Sequence, residues 1–344
     1  MKIAVISSPM LPCPPERYGG LELICWHLAE GLSKMGHKVV LLAPYGSKSP
    51  HGGLLLAFGP PAGTVHTNWV KAELAAYLRY KCVLPEFDII CDHTRMGFAY
   101  NVKKDHPEVK LAHTHHDLIN HQLALELGTK RAKLNFIAIS RWMQRHFLEY
   151  GIHSRVCYNG IDLDRYPYSD EHGDRLLFVG RIDMMKRPHI AIEVARKANM
   201  PLDILGGTFV SDQLYVEKIR KICLKEGYGF YPDASHKKKV ELLQKCKAVI
   251  FPSKMNEPFG LVPIEANACG APVIATIDGA TPETVQNGKT GYLCNTVDQM
   301  VEALKKIDNI KHNDCRQWAS KFSKENMCKC YEQRFKEILS GDEW

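Results

Sequence analysis

Residues 249–276, VIFPSKMNEPFGLVPIEANACGAPVIAT, constrain the fold more than any other stretch. Val249, Ile250 and Phe251 read as the end of a buried strand. A loop with Pro252, Ser253, Lys254 and Asn256 follows. From Gly260 the periodicity becomes helical, through Leu261, Ile264, Glu265 and Ala268. Gly270 supplies a left-handed stop, and residues 272–276 return to an apolar strand. Apolar strands on both sides of a helix belong in a parallel sheet covered by helices.

Two carboxylates, Glu257 and Glu265, stand eight positions apart in this stretch. Between them lie the amides of Phe259, Gly260 and Leu261. The first turn of a helix leaves its N–H groups without intrahelical partners, and its positive dipole end suits a phosphate. A carboxylate accepts well from sugar hydroxyls. Together they fit a ligand that is part phosphate and part sugar. They equally fit a plain helix start with a solvated glutamate beyond it, and the rest of the chain has to decide.

The amino-terminal half repeats the alternation. Residues 2–7 form a buried strand, and Pro9, Pro12, Pro14 and Pro15 stiffen the loop that ends in Tyr18-Gly19-Gly20. Leu21, Ile24, Cys25, Leu28 and Leu32 then recur at helical spacing to Gly36, and 37–43 is a strand. Gly19-Gly20 lets backbone come close to a ligand, or is simply a tight turn. It is not a G-x-G-x-x-G fingerprint, which weakens a dinucleotide reading. Residues 47–68 read as irregular, about 69–82 as helix, and 87–91 and 109–112 as strands. The last ends in His113-Thr114-His115-His116-Asp117, where an open α/β sheet places ligands. Zinc is disfavoured there, because adjacent His115 and His116 point to opposite sides of an extended chain and a third ligand is needed.

Residues 135–139 read as a strand, with Ser140 capping a helix to Tyr150. Arg141, Trp142, Arg145 and His146 on that helix are either a solvated face or a peripheral contact with an anionic membrane surface. A polar segment, 164–174, reads as a linker. Strands and helices then alternate again from residue 176, and 298–307 and 314–340 read as helical. Arg181 directly follows the strand 176–179, and Lys186 comes five residues later. A planar Arg fork and a mobile Lys charge suit phosphate oxygens. The expectation is α/β architecture in two doubly wound domains, 1–165 completed by about 322–344, and 166–321.

The 344 residues are 45% hydrophobic and 24% charged, with a net charge of +7. That balance suits an ordinary folded protein and an anionic small substrate, and no nucleic-acid motif accompanies it. No apolar run reaches the length of a membrane span, and the first strand is too short for a signal-peptide core. Twelve cysteines lie scattered, so buried reduced thiols and a cytoplasmic location are expected, with peripheral membrane contact as an option.

The run from Glu257 to Glu265, followed by Gly270 and Pro272-Val273-Ile274, resembles the E-x7-E signature of the retaining GT-B glycosyltransferases of family 4. Gly19-Gly20 with Glu22, Thr114 with His116, Tyr158-Asn159-Gly160-Ile161-Asp162, Gly180-Arg181 with Lys186, and Pro282 to Gly291 resemble further motifs of that family. The resemblance implies a GT-B fold, two Rossmann-like domains facing a deep cleft, with a carboxyl-terminal helix returning to the first. It implies a nucleotide-sugar donor (UDP- or GDP-linked), and a glycan, lipid-linked or small-molecule acceptor. Arg181 and Lys186 would hold the diphosphate. Glu257, His116 and the amides of Phe259, Gly260 and Leu261 would hold the sugar, with His115 as the alternative histidine. Glu265 would bind the ribose, and Gly19 and Gly20 would lie beside the diphosphate. The implied reaction is a front-face substitution with no metal and no cofactor. A phosphorylase, an epimerase of the same fold and a non-catalytic nucleotide-sugar-binding protein are the rival readings.

Overall fold

Short runs of Val, Ile and Leu, too apolar to leave either face in water, build two all-parallel sheets. The computed structural model describes residues 1–16, 19–63, 68–119, 134–209 and 211–344. The chain divides into two units. One is Met1–Gly160 with Lys324–Trp344, and the other is Ile161–Ser323.

The first unit holds β1 (Lys2–Ile6), β2 (Lys38–Ala43), β3 (Leu54–Ala57), β4 (Ile89–Asp92), β5 (Leu111–His115), β6 (Asn135–Ala138) and β7 (Ser154–Val156). Their order is β3-β2-β1-β4-β5-β6-β7, with the direction of strand succession reversing beside β1. In such a sheet ligands gather at the carboxyl ends of the strands. The helix Gly20–Lys34 buries Ile24, Cys25, Leu28 and Leu32. The carboxyl-terminal helix Lys324–Leu339 buries Met327, Cys328, Tyr331, Phe335 and Ile338. It packs on Gly20–Lys34, where Gly31 leaves room for Cys328 Sγ.

The second unit holds β8 (Leu176–Val179), β9 (Leu202–Gly206), β10 (Gly229–Pro232), β11 (Ala248–Phe251), β12 (Val273–Thr276) and β13 (Gly291–Cys294). Their order, β10-β9-β8-β11-β12-β13, repeats the same reversal. The helix Leu261–Ala268 joins β11 to β12, and Gly270 adopts φ +91° just beyond it. Both doubly wound sheets therefore exist as the alternation predicts.

Four details differ from the sequence reading. The units change at 160/161 and 323/324 rather than at 165 and 321, because Ile161 N–H donates to Phe322 O at 2.9 Å and Ile161 pairs with Ser323. The polar segment 164–174 is not a free linker: Ser169 N–H donates to Cys269 O at 3.0 Å, and Gly173 N–H to Lys245 O at 2.8 Å. The run 314–340 is two helices, His312–Ala319 and Lys324–Leu339, separated by a 3₁₀ turn. Strand β3 lies inside the stretch read as irregular, of which 64–67 fall outside the described residues.

The helix Arg141–Glu149 forms as expected, with Ser140 Oγ accepting from Met143 N–H at 3.0 Å. It buries Met143 and Phe147, and Trp142 stacks on His146. Among the described residues no helix is long and apolar enough to cross a membrane.

Gly206, at the end of β9, lies so close to β8 that a Cβ would collide with Gly180 O and sit 2.9 Å from Ile182 Cγ1. Gly206→Ala should therefore lower stability by about 1–3 kcal/mol, the usual cost of overpacking. Urea unfolding checks this, and an unchanged midpoint would contradict the close packing of these strand ends.

Candidate functional site

In the second unit, β8 and β11 deliver their following loops to the same end of the sheet. Arg181 and Lys186 come from the first loop, and Glu257 from the second. Asp183 organises the first: its Oδ1 accepts from the N–H groups of Met185 at 3.0 Å and Lys186 at 2.7 Å. Its Oδ2 stands 3.0 Å from Arg181 Nε as an ion pair, although the N–H is not aligned for a hydrogen bond. Lys254 N–H donates to Met185 O at 3.1 Å and ties the two loops together.

Glu257 is only 7% exposed. Its Oε2 accepts from Lys186 Nζ at 2.6 Å and Ser253 Oγ at 2.8 Å. Its Oε1 has no side-chain partner among the described residues. The backbone at Glu257 is clamped: its N–H donates to Asp278 Oδ2 at 3.0 Å, and its carbonyl accepts from Ala280 N–H at 2.8 Å. Gly279, at φ +56°, lies against this backbone so tightly that a Cβ would collide with Glu257 N and O.

Gly260 takes φ +90° to turn the chain into the helix Leu261–Ala268. The Phe259 ring is buried against Phe322, so only the backbone of Phe259 could serve a ligand in this arrangement. Glu265, one turn into the helix, is 4% exposed rather than solvated. Tyr166 OH donates to its Oε1 at 2.6 Å, and Lys239 Nζ reaches the same oxygen at 2.8 Å. Burial opposes ionisation, but the charge and hydrogen bond of Lys239, with the Tyr166 hydroxyl, outweigh it. The carboxyl is held below its ordinary range. Its Oε2 is left without a partner among the described residues.

Arg181, Lys186, Glu257, Phe259, Gly260, Leu261 and Glu265 thus share one end of one sheet. His116, Gly19 and Gly20 belong to the first unit. There the helix begins at Gly20, and Gly19 takes φ +151° with Pro15 Cβ 2.8 Å and Glu22 Oε2 2.9 Å from where a Cβ would stand. Tyr18 lies outside the described residues. Glu22 is itself buried, and burial pushes its carboxyl up to about 7.

The strand β5 runs on through His113, Thr114 and His115, past the sequence-based end at Ala112. These polar side chains stay in the sheet because they are paired. His113 Nδ1 bonds Asp92 Oδ2 at 2.6 Å, His113 Nε2 lies 3.3 Å from His115 Nδ1, and Thr114 Oγ1 is 3.0 Å from Tyr331 OH. His116 turns the other way, with Nε2 2.9 Å from His93 Nδ1, and it is half-buried where His115 is enclosed. That exposure favours His116 over His115 as the histidine open to a ligand. Burial and neighbouring imidazoles push both well below the ordinary histidine range, and His93 falls to about 3. Asp117 pairs with Arg95 at 3.2 Å on the surface. Among the described residues no three His, Cys, Asp or Glu side chains converge as a metal-ion site.

Sequence reasoning missed Tyr166, Lys239, Ser253, Asp183 and Asp278. Lys239 sits in a run of three lysines that reads as a solvated face, and Tyr166 lies inside the supposed linker. Only the fold brings either to Glu265.

Replacing Lys239 with Met would leave the Glu265 carboxylate charged and buried without its cation. Lys239→Met should cost about 3–5 kcal/mol at pH 7. The deficit should shrink as pH falls: the depressed folded-state pKa of wild-type Glu265 supplies stability above the unfolded value that is lost on acidification. Urea unfolding at pH 7 and pH 4.5 tests this, and a deficit independent of pH would contradict the ion-pair account. His93 works with the opposite protonation. Its folded pKa of about 3 lies below the ordinary histidine value of 6.5, so acid favours the unfolded chain between those values. His93→Gln should flatten the fall of stability with acid in that window by up to about 1.4 kcal/mol per pH unit. Equal slopes for variant and wild type would contradict it.

Comparison with known proteins agrees with the two-sheet architecture. Residues 167–326 match the family described as Glycosyl transferases group 1, and residues 18–165 match Glycosyltransferase Family 4. The D-inositol 3-phosphate glycosyltransferase of Mycobacterium tuberculosis is 31% identical over 167 residues, 43% of this chain and 35% of that protein. The chain thus matches about a third of that relative's length. A solved glycosyltransferase involved in avilamycin A biosynthesis superposes with a TM-score of 0.77 at 21% identity, covering 100% of this chain and 99% of that one. Sucrose-phosphate synthase from Thermosynechococcus elongatus gives 0.82 at 19% identity, covering 98% and 99%. HepE of Anabaena, in complex with UDP and glucose, gives 0.75 at 19%, covering 98% and 99%. The fold is GT-B, and with both halves of the chain matched, this protein belongs to the family 4, group 1 glycosyltransferases.

Proposed function

We propose that the protein moves a hexose from a UDP- or GDP-linked donor to an acceptor hydroxyl, retaining the anomeric configuration and needing no metal. The observation that carries this reading is the pair of buried carboxylates around the start of Leu261–Ala268, each compensated by its own lysine and each keeping one oxygen unpartnered among the described residues. Glu257 Oε1 accepts from a hydroxyl of the transferred sugar, and Glu265 Oε2 from the ribose. Arg181 and Lys186 neutralise the diphosphate. Lys186 then serves two anions, the buried Glu257 and the departing phosphate, so its ammonium is already positioned before the donor arrives.

Chemistry follows from charge. Breaking the bond between sugar and diphosphate builds negative charge on the leaving oxygen, and fixed cations lower that barrier without reorganising. The leaving oxygen takes the acceptor's proton on the face it vacates, which gives retention. His116, kept neutral, offers the sugar a hydrogen bond without adding charge. The acceptor is a glycan, a lipid-linked sugar or a small molecule with a free hydroxyl. The Anabaena structure, solved with UDP and glucose, supports UDP as the first donor base to try.

Incubation with a panel of UDP- and GDP-sugars should release free nucleotide by slow donor hydrolysis, and EDTA should not change the rate. Arg181→Ala and Lys186→Ala should each lower that rate by about 10²- to 10³-fold. Silence across the panel would count against transfer, and unchanged rates in both variants would overturn the phosphate assignment.

A further inference from the structure

Twelve thiols stand free in this chain, and among the described residues one pair has its sulfurs in contact. Cys157 Sγ lies 2.7 Å from Cys330 Sγ, although the two are 173 positions apart. Cys157 follows β7 and is fully buried, whereas Cys330 is half-exposed on the helix Lys324–Leu339. Cys330 Sγ also sits 3.4 Å from Val156 O, which holds it over the end of β7. One turn further along the helix, Arg334 donates to Glu337 through Nη1, while its buried Nε has no hydrogen-bond partner among the described residues. A cation with an unspent donor therefore borders the sulfur pair.

We infer that Cys157 and Cys330 are an oxidative modification site, a dithiol that a peroxide converts to a disulfide. The sulfurs need to approach by well under an ångström to reach the bonded distance of about 2.05 Å. The two thiols also divide the roles. The hydrogen bond from Cys157 and the Arg334 charge, working against burial, bring the Cys330 thiol down to about 7. Burial drives Cys157 well above its usual range. Cys330, accessible and readily ionised, is the attacking thiolate, and Cys157 resolves it.

The Cys330 thiolate attacks one oxygen of hydrogen peroxide. The O–O bond breaks, hydroxide leaves and takes up a proton as water, and Cys330 becomes a sulfenic acid. The Cys157 sulfur then attacks the Cys330 sulfur. The S–O bond breaks, and the departing hydroxide carries off the Cys157 proton as a second water. Two thiols are oxidised and one peroxide is reduced. The product ties the segment by which the chain leaves the first unit, just before Gly160, to the helix by which it re-enters at Lys324.

Peptide mapping of the full-length protein tests this directly. After peroxide treatment and blocking of remaining thiols, trypsin should yield residues 156–165 joined to 330–334, with a mass lower by two hydrogens than the separate peptides. Cleavage after Lys329 places Cys328 in a different peptide, so the neighbouring cysteine cannot be mistaken for it. Dithiothreitol should separate the joined peptides. Cys157→Ser should instead leave Cys330 as a sulfenic acid that dimedone labels, and Cys330→Ser should leave Cys157 reduced. Wild-type peptides that remain separate, or a Cys330→Ser variant that still loses its Cys157 thiol, would overturn the inference.

Discussion

A carboxylate stays ionised inside a protein only if the surroundings replace the water it has lost. That constraint organises the second unit. Glu257 and Glu265 are both almost wholly buried, and each is answered by a lysine and a hydroxyl: Lys186 with Ser253, and Lys239 with Tyr166. The two lysines arrive from different parts of the chain, one from the loop after β8 and one from the helix His236–Lys245. The sheet order, which sets β8 beside β11, is what lets the first reach its partner. Even local backbone obeys the same demand. Asp278 and Gly279 hold the Glu257 peptide so that its side chain meets Lys186.

The first unit answers the same physical problem the other way. Among the described residues no lysine or arginine pairs with the buried carboxyl of Glu22, and burial raises it to about 7. The histidines on β5 and beside β4 are buried among one another, and His93, His115 and His116 are driven toward the neutral form. One unit thus fixes charge and the other suppresses it. A charged diphosphate suits the first arrangement. Neutral hydroxyls suit the second, where an imidazole can accept or donate without net charge.

Much of the frame was legible in the chain. Apolar runs broken by helical spacing announced both sheets, and left-handed stops such as Gly270 appeared where helices end. Arg181, Lys186, Glu257 and Glu265 were legible because each lies at a fixed offset from a strand end or helix start. Tyr166 and Lys239 were not. Their roles come from a contact between residues far apart in sequence, and neither flanking segment carries a local signal. The polar stretch 164–174 misled for a related reason: polarity reports exposure to water, whereas its backbone is bonded to Cys269 and Lys245. The strand ending at Ala112 was cut short because His113 and His115 look like loop residues until Asp92 and His113 respectively are seen beside them.

By itself the sequence determined the succession of strands and helices, the two-sheet architecture, and the placing of charged groups at strand ends. Those properties follow from periodicity and from positions counted along the chain. Tertiary structure alone decided which carboxylate is charged, which histidine stays open and which thiols touch. Ionisation depends on desolvation and on partners within a few ångströms, and those partners are set by packing between segments that the linear order keeps apart.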